Sequence, residues 1–574
     1  MRKGFEPIYH LRRITDLRHM LYSGLQEYGD KTMFLEKDKQ TESYGKISYS
    51  RYIGDVEALG TSLVSLGSRD TNIVVIGENR YAWAVSYMAV VNGVGTVVPV
   101  DKELPEHEIM NILERVRPYV VIYSGLKDSI MRSVAQKSDD VRYFIGMDLN
   151  HDEASGKFIS YEKVMERGKA LLAEGNREYL DSVIDPGAIR ILLFTSATTS
   201  ESKAVQLSHF NLVSNLMDMT SLIKLHVDDV FLSVLPLHHT YECTCGFLCP
   251  LYAGCAIAYC EGLKHIVDNM KESGATIMLG VPLLFESMHK KLWKKAEKAG
   301  SADKLRKGIK ISNLLLKLGI DKRKELFRSI YEGLGGNIRL FISGAAAISP
   351  EVAKFFRSIG LSFFQGYGLT ECSPILALNS DVEFEDASAG KALPNVEIQI
   401  WEPNQEGIGE IVAKGPNIMV GYLDAPELNE QAFEGGYFHT GDMGYMDDRG
   451  FVYITGRKKS VIVTKNGKNI YPEEIELLLN NSPYVSESMV YGVPSPMNDD
   501  LDIAASIFPD YEGFEAEFGE YAPELVAEKI NGLVKEVNAR MVNYKSIKKL
   551  TIRDTEFEKT TTRKIKRYVE DNKG

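Results

Sequence analysis

From Asn72 onward, short runs of β-branched residues alternate with stretches of helical periodicity, and few folds accept that rhythm. The runs include Ile73–Ile76, Val97–Val100, Val120–Tyr123, Ile189–Phe194, Phe231–Leu235, Ile277–Leu279 and Leu340–Ile342, with Glu106–Arg117 and Leu263–Lys271 among the helical stretches. A strand, a helix and a second strand close by a right-handed crossover, so the pattern predicts largely parallel sheets clad in helices. The rhythm changes after about Asp381, where Gly390–Leu393, Val396–Ile400, Glu410–Lys414 and Phe451–Thr455 read as short strands between Gly and Pro turns. From Gly456 on, strands (Val461–Thr464, Ser488–Gly492, Ala504–Phe508) mix with helices (Pro472–Leu479, Leu525–Ala539). A chain of 574 residues also exceeds what one hydrophobic core organises. The expected fold is therefore α/β: a large N-terminal domain over residues 1–456, built of mostly parallel α/β subdomains plus a small β subdomain at about 381–456, followed by a small α+β C-terminal domain over 457–574.

The net charge of -12 argues against nucleic acid as a partner, because phosphate binding needs a surplus of Lys and Arg. Met1–Leu17 is charged throughout, so no secretory signal is expected. The best apolar run, Tyr87–Val100, is short and broken by Asn92, Gly93 and Gly95. A cytoplasmic protein is the expectation. One segment departs from the acidic whole: Lys290 to Arg328 carries fourteen Lys or Arg against four Asp or Glu, with Trp293, Leu314, Leu315, Leu316 and Phe327 interspersed. It reads either as a solvated basic helix face or as a surface for a polyphosphorylated substrate or an anionic membrane, the second giving peripheral contact through 290–328.

Five of the six cysteines cluster at Cys243, Cys245, Cys249, Cys255 and Cys260, beside His238 and His239. A metal site would use such groups, yet no paired C-x-x-C spacing appears and the neighbours Phe247, Leu248, Leu251, Ala256 and Ile257 are apolar. Reduced thiols in a core are the expected outcome.

Five separated motifs carry chemistry. In the first, Leu193 to Val205, hydroxyl residues Thr195, Ser196, Thr198 and Thr199 precede Lys203, between a strand and a helix starting near Ser208. Hydroxyls and backbone N–H groups donate to phosphate oxygens and a lysine adds charge, although Ser/Thr-rich loops are also ordinary turns and the Walker spacing is absent. In Gln365-Gly-Tyr-Gly-Leu-Thr-Glu371, Tyr367 offers a ring to a base, Thr370 a hydroxyl and Glu371 a hard oxygen for Mg²⁺. In Tyr437-Phe-His-Thr-Gly-Asp442 the carboxylate suits a ribose diol. The others are Thr455-Gly-Arg-Lys-Lys-Ser460, continued by Thr464 to Glu476, and Glu558-Lys-Thr-Thr-Thr-Arg-Lys-Ile-Lys-Arg567.

In this order, over nearly the whole chain, these motifs resemble the adenylate-forming superfamily of acyl-CoA synthetases, peptide-synthetase adenylation domains and luciferases. Leu235-Pro-Leu-His-His239, Ser343-Gly-Ala-Ala346, Gly409-Glu-Ile, Lys414-Gly-Pro416 and Gly421-Tyr422 support the match. His239 with Glu242, and the ending Lys559 to Arg567, are similar to bacterial long-chain fatty acid CoA ligases. The resemblance implies an ATP-dependent acyl-CoA ligase that turns a fatty acid or related carboxylate into an acyl-adenylate and passes the acyl group to CoA, with Mg²⁺ assisting. It implies that Thr195, Ser196, Thr198, Thr199 and Lys203 hold the ATP phosphates, and that Gly344, Ala345, Ala346, Gly366, Tyr367 and Gly368 enclose adenine. Thr370 would serve the phosphates, Glu371 the Mg²⁺, and Asp442 with Arg457 the ribose. His239 would lie near the acyl pocket, Gly467 at the thiol channel, Lys459 at a hinge, and Lys564 between the carboxylate and the α-phosphate. The C-terminal domain would be a mobile lid that rotates about Lys459.

Two alternatives share these motifs: an adenylating enzyme that delivers to a carrier protein, and a weakly active or non-catalytic acyl- or nucleotide-binding relative. The second is motivated by a departure. The family's phosphate loop reads Ser-Gly-Thr-Thr-Gly-x-Pro-Lys-Gly, whereas this chain has Ala197, Ser200, Ser202 and Ala204 where three glycines and a proline are usual; Arg563 likewise replaces a glycine. Retention of Glu371, Asp442, Arg457 and Lys564 counts against decay. An L-residue held in the left-handed region costs about 1–2 kcal/mol, enough for roughly a tenfold change in affinity. The double substitution Ala197→Gly, Ser200→Gly is therefore expected to tighten ATP, read by titration with Mg²⁺ present. Equal or weaker affinity would show that the loop is adapted as it stands.

Overall fold

The computed structural model describes residues 5–38, 40–138, 140–153, 156–195, 202–465, 468–496, 501–519, 522–559 and 565–573. The chain divides into two compact units, one of Met1–Thr195, Lys203–Ile398 and Ala413–Gly436, the other chiefly Gln399–Val412 and Tyr437–Gly574.

The first unit holds two large sheets. In the eight-stranded sheet the order is Gly421–Tyr422, Lys203–Ser208, Ile189–Thr195, Thr96–Val100, Asn72–Ile76, Val120–Tyr123, Tyr143–Gly146 and Phe158–Ser160. Six of these strands run parallel, and the pair Ile189–Thr195 and Lys203–Ser208 is antiparallel. Buried on both faces, such strands need continuous apolar runs, which is what Ile73–Ile76 and Val120–Tyr123 supply. The helix Glu106–Val116 shows how the cladding is built. Ile109, Ile112, Leu113 and Val116 face the sheet at helical spacing, Glu106 and Glu108 sit in the first turn, and Arg115 in the last complements the dipole.

In the nine-stranded sheet, Leu340–Ser343 lies between Ile277–Gly280 and Ser362–Gly368, all parallel. Phe285, Phe341, Phe356 and Phe363 fill the core beneath them. The expected parallel α/β architecture is met. The strand expected at Phe231–Leu235 ends at Ser233, because Pro236 has no N–H to continue the ladder and the chain leaves the sheet before it. The strand expected at Gly390–Leu393 is Lys391–Ala392, and it pairs with Ile375–Leu378 at an edge of this nine-stranded sheet.

The second unit has a four-stranded sheet, ordered Glu397–Trp401, Gly409–Lys414, Phe438–Met446 and Val452–Arg457. It continues with a three-stranded sheet of Val485–Pro494, Leu501–Pro509 and Ile547–Ile552. Ile475 and Leu479 of one helix and Val526, Ile530, Val534 and Val537 of another cover that second sheet. Among the described residues no helix is long and apolar enough to cross a membrane.

The helices Tyr49–Ser65 and Tyr161–Ala173 cross so closely that a Cβ on Gly168 would lie 1.8 Å from the Ala58 carbonyl oxygen. Gly168→Ala is expected to push the helices apart and destabilise the protein by about 1–3 kcal/mol, read as a lowered midpoint of thermal unfolding.

Candidate active site

The strands Ile189–Thr195 and Lys203–Ser208, which flank the hydroxyl-rich segment in sequence, pair antiparallel. Thr195 and Lys203 face each other in register, and Thr195 Oγ1 lies 3.5 Å from the Lys203 carbonyl oxygen. Ser196, Thr198 and Thr199 lie outside the described residues. Ser208 then caps the helix His209–Thr220, its side chain accepting from the Asn211 N–H while the Asn211 side chain accepts from Ser208, so the element after the loop starts where its sequence asks.

On the far side of Lys203–Ser208 a third short strand joins: Tyr422 pairs with Val205 and Gly421 with Gln206. The Asn429 side chain accepts from the Tyr422 N–H at 2.7 Å and donates to its carbonyl at 2.9 Å, fixing the backbone at that point. The Tyr422 ring therefore stands under Lys203, whose Nζ is 4.6 Å from the ring centroid. The phenolic hydroxyl donates to Glu371 Oε1 at 2.8 Å. Met419 N–H donates to the Glu371 carbonyl at 2.8 Å, so the backbone of Glu371 is also held. One tyrosine thus joins the loop lysine to the acidic residue. A carboxylate keeps further acceptor capacity beside one such bond, and with the Thr370 hydroxyl next to it in a 3₁₀ turn, Glu371 has the hard-oxygen chemistry that suits Mg²⁺.

The glycines of the Gln365–Glu371 segment have a steric reason. A Cβ on Gly368 would sit 1.7 Å from the Pro374 carbonyl oxygen, and one on Gly366 3.1 Å from the Leu378 side chain. Tyr367, between them, is buried. Gln365 ties this strand to the neighbouring loop: its Oε1 accepts from the Ile348 N–H at 3.2 Å and its Nε2 donates to the Ser388 carbonyl at 3.3 Å. In that loop Ala345 takes φ 71°, a left-handed conformation that costs an alanine about 1–2 kcal/mol. Gly344 is buried against Tyr241, where a Cβ would come within 2.8 Å of the ring, while Ala345 and Ala346 are exposed.

His239 lies between the strand Val230–Ser233 and the π-helical turn Tyr241–Leu248. A half-buried clamp holds that stretch: Asn79 Nδ2 donates to the Leu235 carbonyl (2.7 Å) and to Ser233 Oγ (3.0 Å), while Leu237 N–H donates to Asn79 Oδ1 (3.0 Å). Ser233 in turn donates to the buried Glu242 at 2.6 Å. Burial pushes the Glu242 carboxyl up to about 8, against the opposing hydrogen bonds from Ser233 and the Leu235 N–H. The partner of the histidine pair is Asp101, not a cysteine. His238 Nε2 is 3.4 Å from Asp101 Oδ2, and the two imidazole rings are 4.0 Å apart. Cys243, Cys245, Cys249 and Cys255 are buried free thiols, Cys243 pushed up to about 12 by burial, as expected of thiols in a core.

The second unit contributes a separate cluster. Asp442 and Arg457 face each other on adjacent antiparallel strands, with Arg457 Nε 2.9 Å from the buried Asp442 carboxylate. Gly441, at φ 71°, lies within the strand Phe438–Met446 just before Asp442, and Thr440 accepts from the Asp442 N–H while donating to the Ile411 carbonyl. Glu410 braces the same stretch of strand, accepting from Gly441 N–H at 3.0 Å and Lys458 Nζ at 2.7 Å, with His439 Nδ1 at 3.0 Å. Burial works against the Glu410 charge, but the bonds from Lys458 and His439 outweigh it and hold the carboxyl below its usual range. Lys459 is exposed in the 3₁₀ turn Lys458–Ser460. Gly467 and Lys564 lie outside the described residues. The flanks of Lys564 are pinned: Lys559 pairs with Glu487 at 2.7 Å and bridges to Ile565, Lys566 pairs with Glu558 at 2.6 Å, and Arg567 pairs with Glu476. Sequence reasoning singled out neither Tyr422 nor Glu410 as site residues, although both lie in short motifs, Gly421-Tyr422 and Gly409-Glu-Ile, that carried the resemblance.

A family model described as AMP-binding enzyme matches residues 23–423. The chain is similar to the long-chain-fatty-acid–CoA ligase FadD15 of Mycobacterium bovis, 27% identical over 551 residues, covering 90% of this chain and 88% of that one. Its fold is that of the anthranilate CoA ligase AuaEII solved with anthranoyl-AMP, with a TM-score of 0.76 at 18% identity over 98% of this chain and 96% of that one. ATP-bound MatB from Rhodopseudomonas palustris gives 0.73 at 24% identity, over 96% and 97%.

Tyr422→Phe keeps the ring under Lys203 and removes only the hydroxyl that orients Glu371. A hydrogen bond to a charged group contributes about 1.5–3 kcal/mol. The variant is therefore expected to bind ATP in the presence of Mg²⁺ roughly tenfold or more weakly by calorimetric titration, with its unfolding midpoint little changed.

Proposed function

The chain belongs to the AMP-binding enzyme family, and from that premise we propose that it is an ATP-dependent, AMP-forming acyl-CoA ligase acting on a fatty-type carboxylate. The observation that carries the reading is the Lys203–Tyr422–Glu371 assembly, which sets a cation and a hard-oxygen donor on one phenol, as gripping a polyphosphate requires. The acyl substrate class is supported by the long-chain-fatty-acid–CoA ligase that aligns over 90% of this chain.

A carboxylate is ionised at pH 7 and attacks the α-phosphorus without a general base. A new P–O bond forms, the bond to the bridging oxygen breaks, and diphosphate leaves. The obstacle is repulsion between an anion and polyanionic ATP. Lys203 and Lys564 are assigned to offset that repulsion, with Thr195, Ser196, Thr198, Thr199 and Thr370 donating to phosphate oxygens. Glu371 would hold the Mg²⁺, whose chemistry is to neutralise charge on the phosphates. Asp442, steadied by Arg457, retains acceptor capacity for a ribose diol. Gly344, Ala345, Ala346, Gly366, Tyr367 and Gly368 are assigned to adenine, and His239 to the acyl pocket. In the second half-reaction the CoA sulfur attacks the acyl carbon, the C–O bond to AMP breaks, and the thiol proton passes to solvent; Gly467 is assigned to this step. The proposal includes domains at 1–456 and 457–574, a hinge at Lys459, a cytoplasmic location, and peripheral contact of 290–328 with an anionic membrane.

Incubation with ATP, CoA and a panel of fatty acids is expected to yield AMP with acyl-CoA. Adenylate without transfer to CoA would instead support delivery to a carrier protein, and neither product a non-catalytic relative. Lys564→Ala is expected to lower adenylate formation by roughly 10²-fold or more while sparing thioester formation from supplied acyl-adenylate. Equal loss in both half-reactions would remove Lys564 from its assigned role.

A further inference from the structure

The helices that follow the strand Ile277–Gly280 present a face that the proposed reaction does not use. Pro282–Lys298 and Ala302–Lys317 are seated on the core of the nine-stranded sheet by Phe285, Trp293, Leu305 and Ile309. In the second helix Ser312 is buried and donates to the Ser358 carbonyl at 3.2 Å. Gly308 faces Phe327, which a Cβ would meet at 3.3 Å. These contacts fix which side of the helix faces inward.

The opposite side is not simply polar. Ile311, Leu314 and Leu318 are 52%, 61% and 68% exposed, and Ile320 carries on past the helix end at 46%. At 100° per residue the first three fall within about 60° of one another, a single apolar row. Lys307 shares that arc, Lys304 lies about 20° beyond one edge of it, and Lys310 and Lys317 flank the other. The nearest acid, Asp303, is paired with Arg306 at 3.0 Å. Farther along, Asp321 is taken by Arg323 and Glu325 by Lys322. Single exposed leucines are ordinary, but solvating a basic helix does not call for a row of three. Lysines around an apolar row are the chemistry of a helix lying in a lipid interface, where the stems run along the acyl boundary and the ammonium groups reach the phosphates.

We propose that Ala302–Lys317 is an anchor to an anionic bilayer, lying in the headgroup plane with Ile311, Leu314 and Leu318 in the acyl boundary and Lys304, Lys307, Lys310 and Lys317 on lipid phosphates. The charge complementarity is local: the chain as a whole carries -12, so such a surface repels the rest of the protein and selects this face. Sixteen residues of helix, about 24 Å long, lie along a membrane and do not cross it. This inference deepens the membrane contact named above, and it rests on the geometry of the helix, independently of the reaction.

Co-sedimentation of the full chain with phosphatidylcholine–phosphatidylglycerol vesicles, and with phosphatidylcholine alone, tests it. Wild type is expected to bind the anionic vesicles, with roughly tenfold or greater loss on raising salt past physiological strength. Ile311→Ser with Leu314→Ser and Leu318→Ser is expected to lose about tenfold or more at any salt, with an unchanged unfolding midpoint. Lys304→Gln, Lys307→Gln, Lys310→Gln and Lys317→Gln together should remove the preference for phosphatidylglycerol. In the Leu314→Trp variant, the emission of the introduced indole should shift to the blue on anionic vesicles. Absence of wild-type binding, full binding by the triple-serine variant, an unshifted emission from the introduced indole, or capture of an acidic carrier protein with vesicles ignored would each overturn the proposal. If the reaction assignment fails instead, vesicle binding persists without acyl-CoA formation; if the anchor fails, ligation of a water-soluble short-chain acid is untouched.

Discussion

The pairing of Gly421–Tyr422 with Val205–Gln206 is the constraint from which the first unit's chemistry follows. It adds an antiparallel edge to a sheet that is otherwise largely parallel, and it does so beside the strand that emerges from the hydroxyl-rich loop. Backbone register then sets side-chain position. Tyr422 is opposite Val205, Lys203 is at the start of the same strand, and the phenol reaches Glu371 from a third element. Asn429, bonded to both backbone groups of Tyr422, keeps that register from slipping. The cation–π contact contributes about 0.5–1 kcal/mol and the hydrogen bond to the carboxylate about 1.5–3 kcal/mol. Their value lies in fixing geometry before a ligand arrives, so that little ordering remains to be done on binding.

Buried carboxylates are settled in three different ways, and each way suits a different task. Glu242 accepts from a serine and a backbone N–H, and burial raises its carboxyl to about 8 beside the Leu235–His239 stretch. Glu410 has Lys458, His439 and the Gly441 N–H, which together keep it charged and fix the Thr440–Asp442 stretch of strand. Asp442 has Arg457 directly across the strand pair. Glu242 and Glu410 hold neighbouring backbone, whereas Asp442 is paired across adjacent strands. That division accords with the cost of an unpaired buried charge, which neutralises unless a cation stands beside it.

Much of the fold was legible because parallel α/β sheets impose a double requirement on sequence. Their strands must be apolar on both faces and their helices on one, and Ile73–Ile76, Val120–Tyr123 and Glu106–Val116 carry those signatures without help from distant residues. Boundaries were less legible where a single residue decides them, as Pro236 does at the end of Val230–Ser233. The candidate residues Thr195, Lys203, Glu371, Asp442 and Arg457 were legible through motif order, and Arg457 indeed faces Asp442. Tyr422 and Glu410 were not, since a tyrosine or glutamate in a short strand looks like any other until its partner is known. Four of the five clustered thiols are buried as small apolar residues would be and Cys260 is partly so, whereas the partner of His238 is Asp101, just past a strand far earlier in the chain.

The sequence by itself determined what depends on local chemistry: which segments can be strands or helices, which segments carry hydroxyls and lysine, and which short motifs resemble those of adenylate-forming enzymes. Tertiary structure decided what depends on long-range register. It set Tyr422 between Lys203 and Glu371, Asn79 under the His239 stretch, and Ile311, Leu314 and Leu318 on the outward side of a helix whose inward side Ser312 and Gly308 secure. The reason is physical. Periodicity tells which side chains share a face, but only the packed neighbours determine whether that face meets a core, a ligand or open solvent.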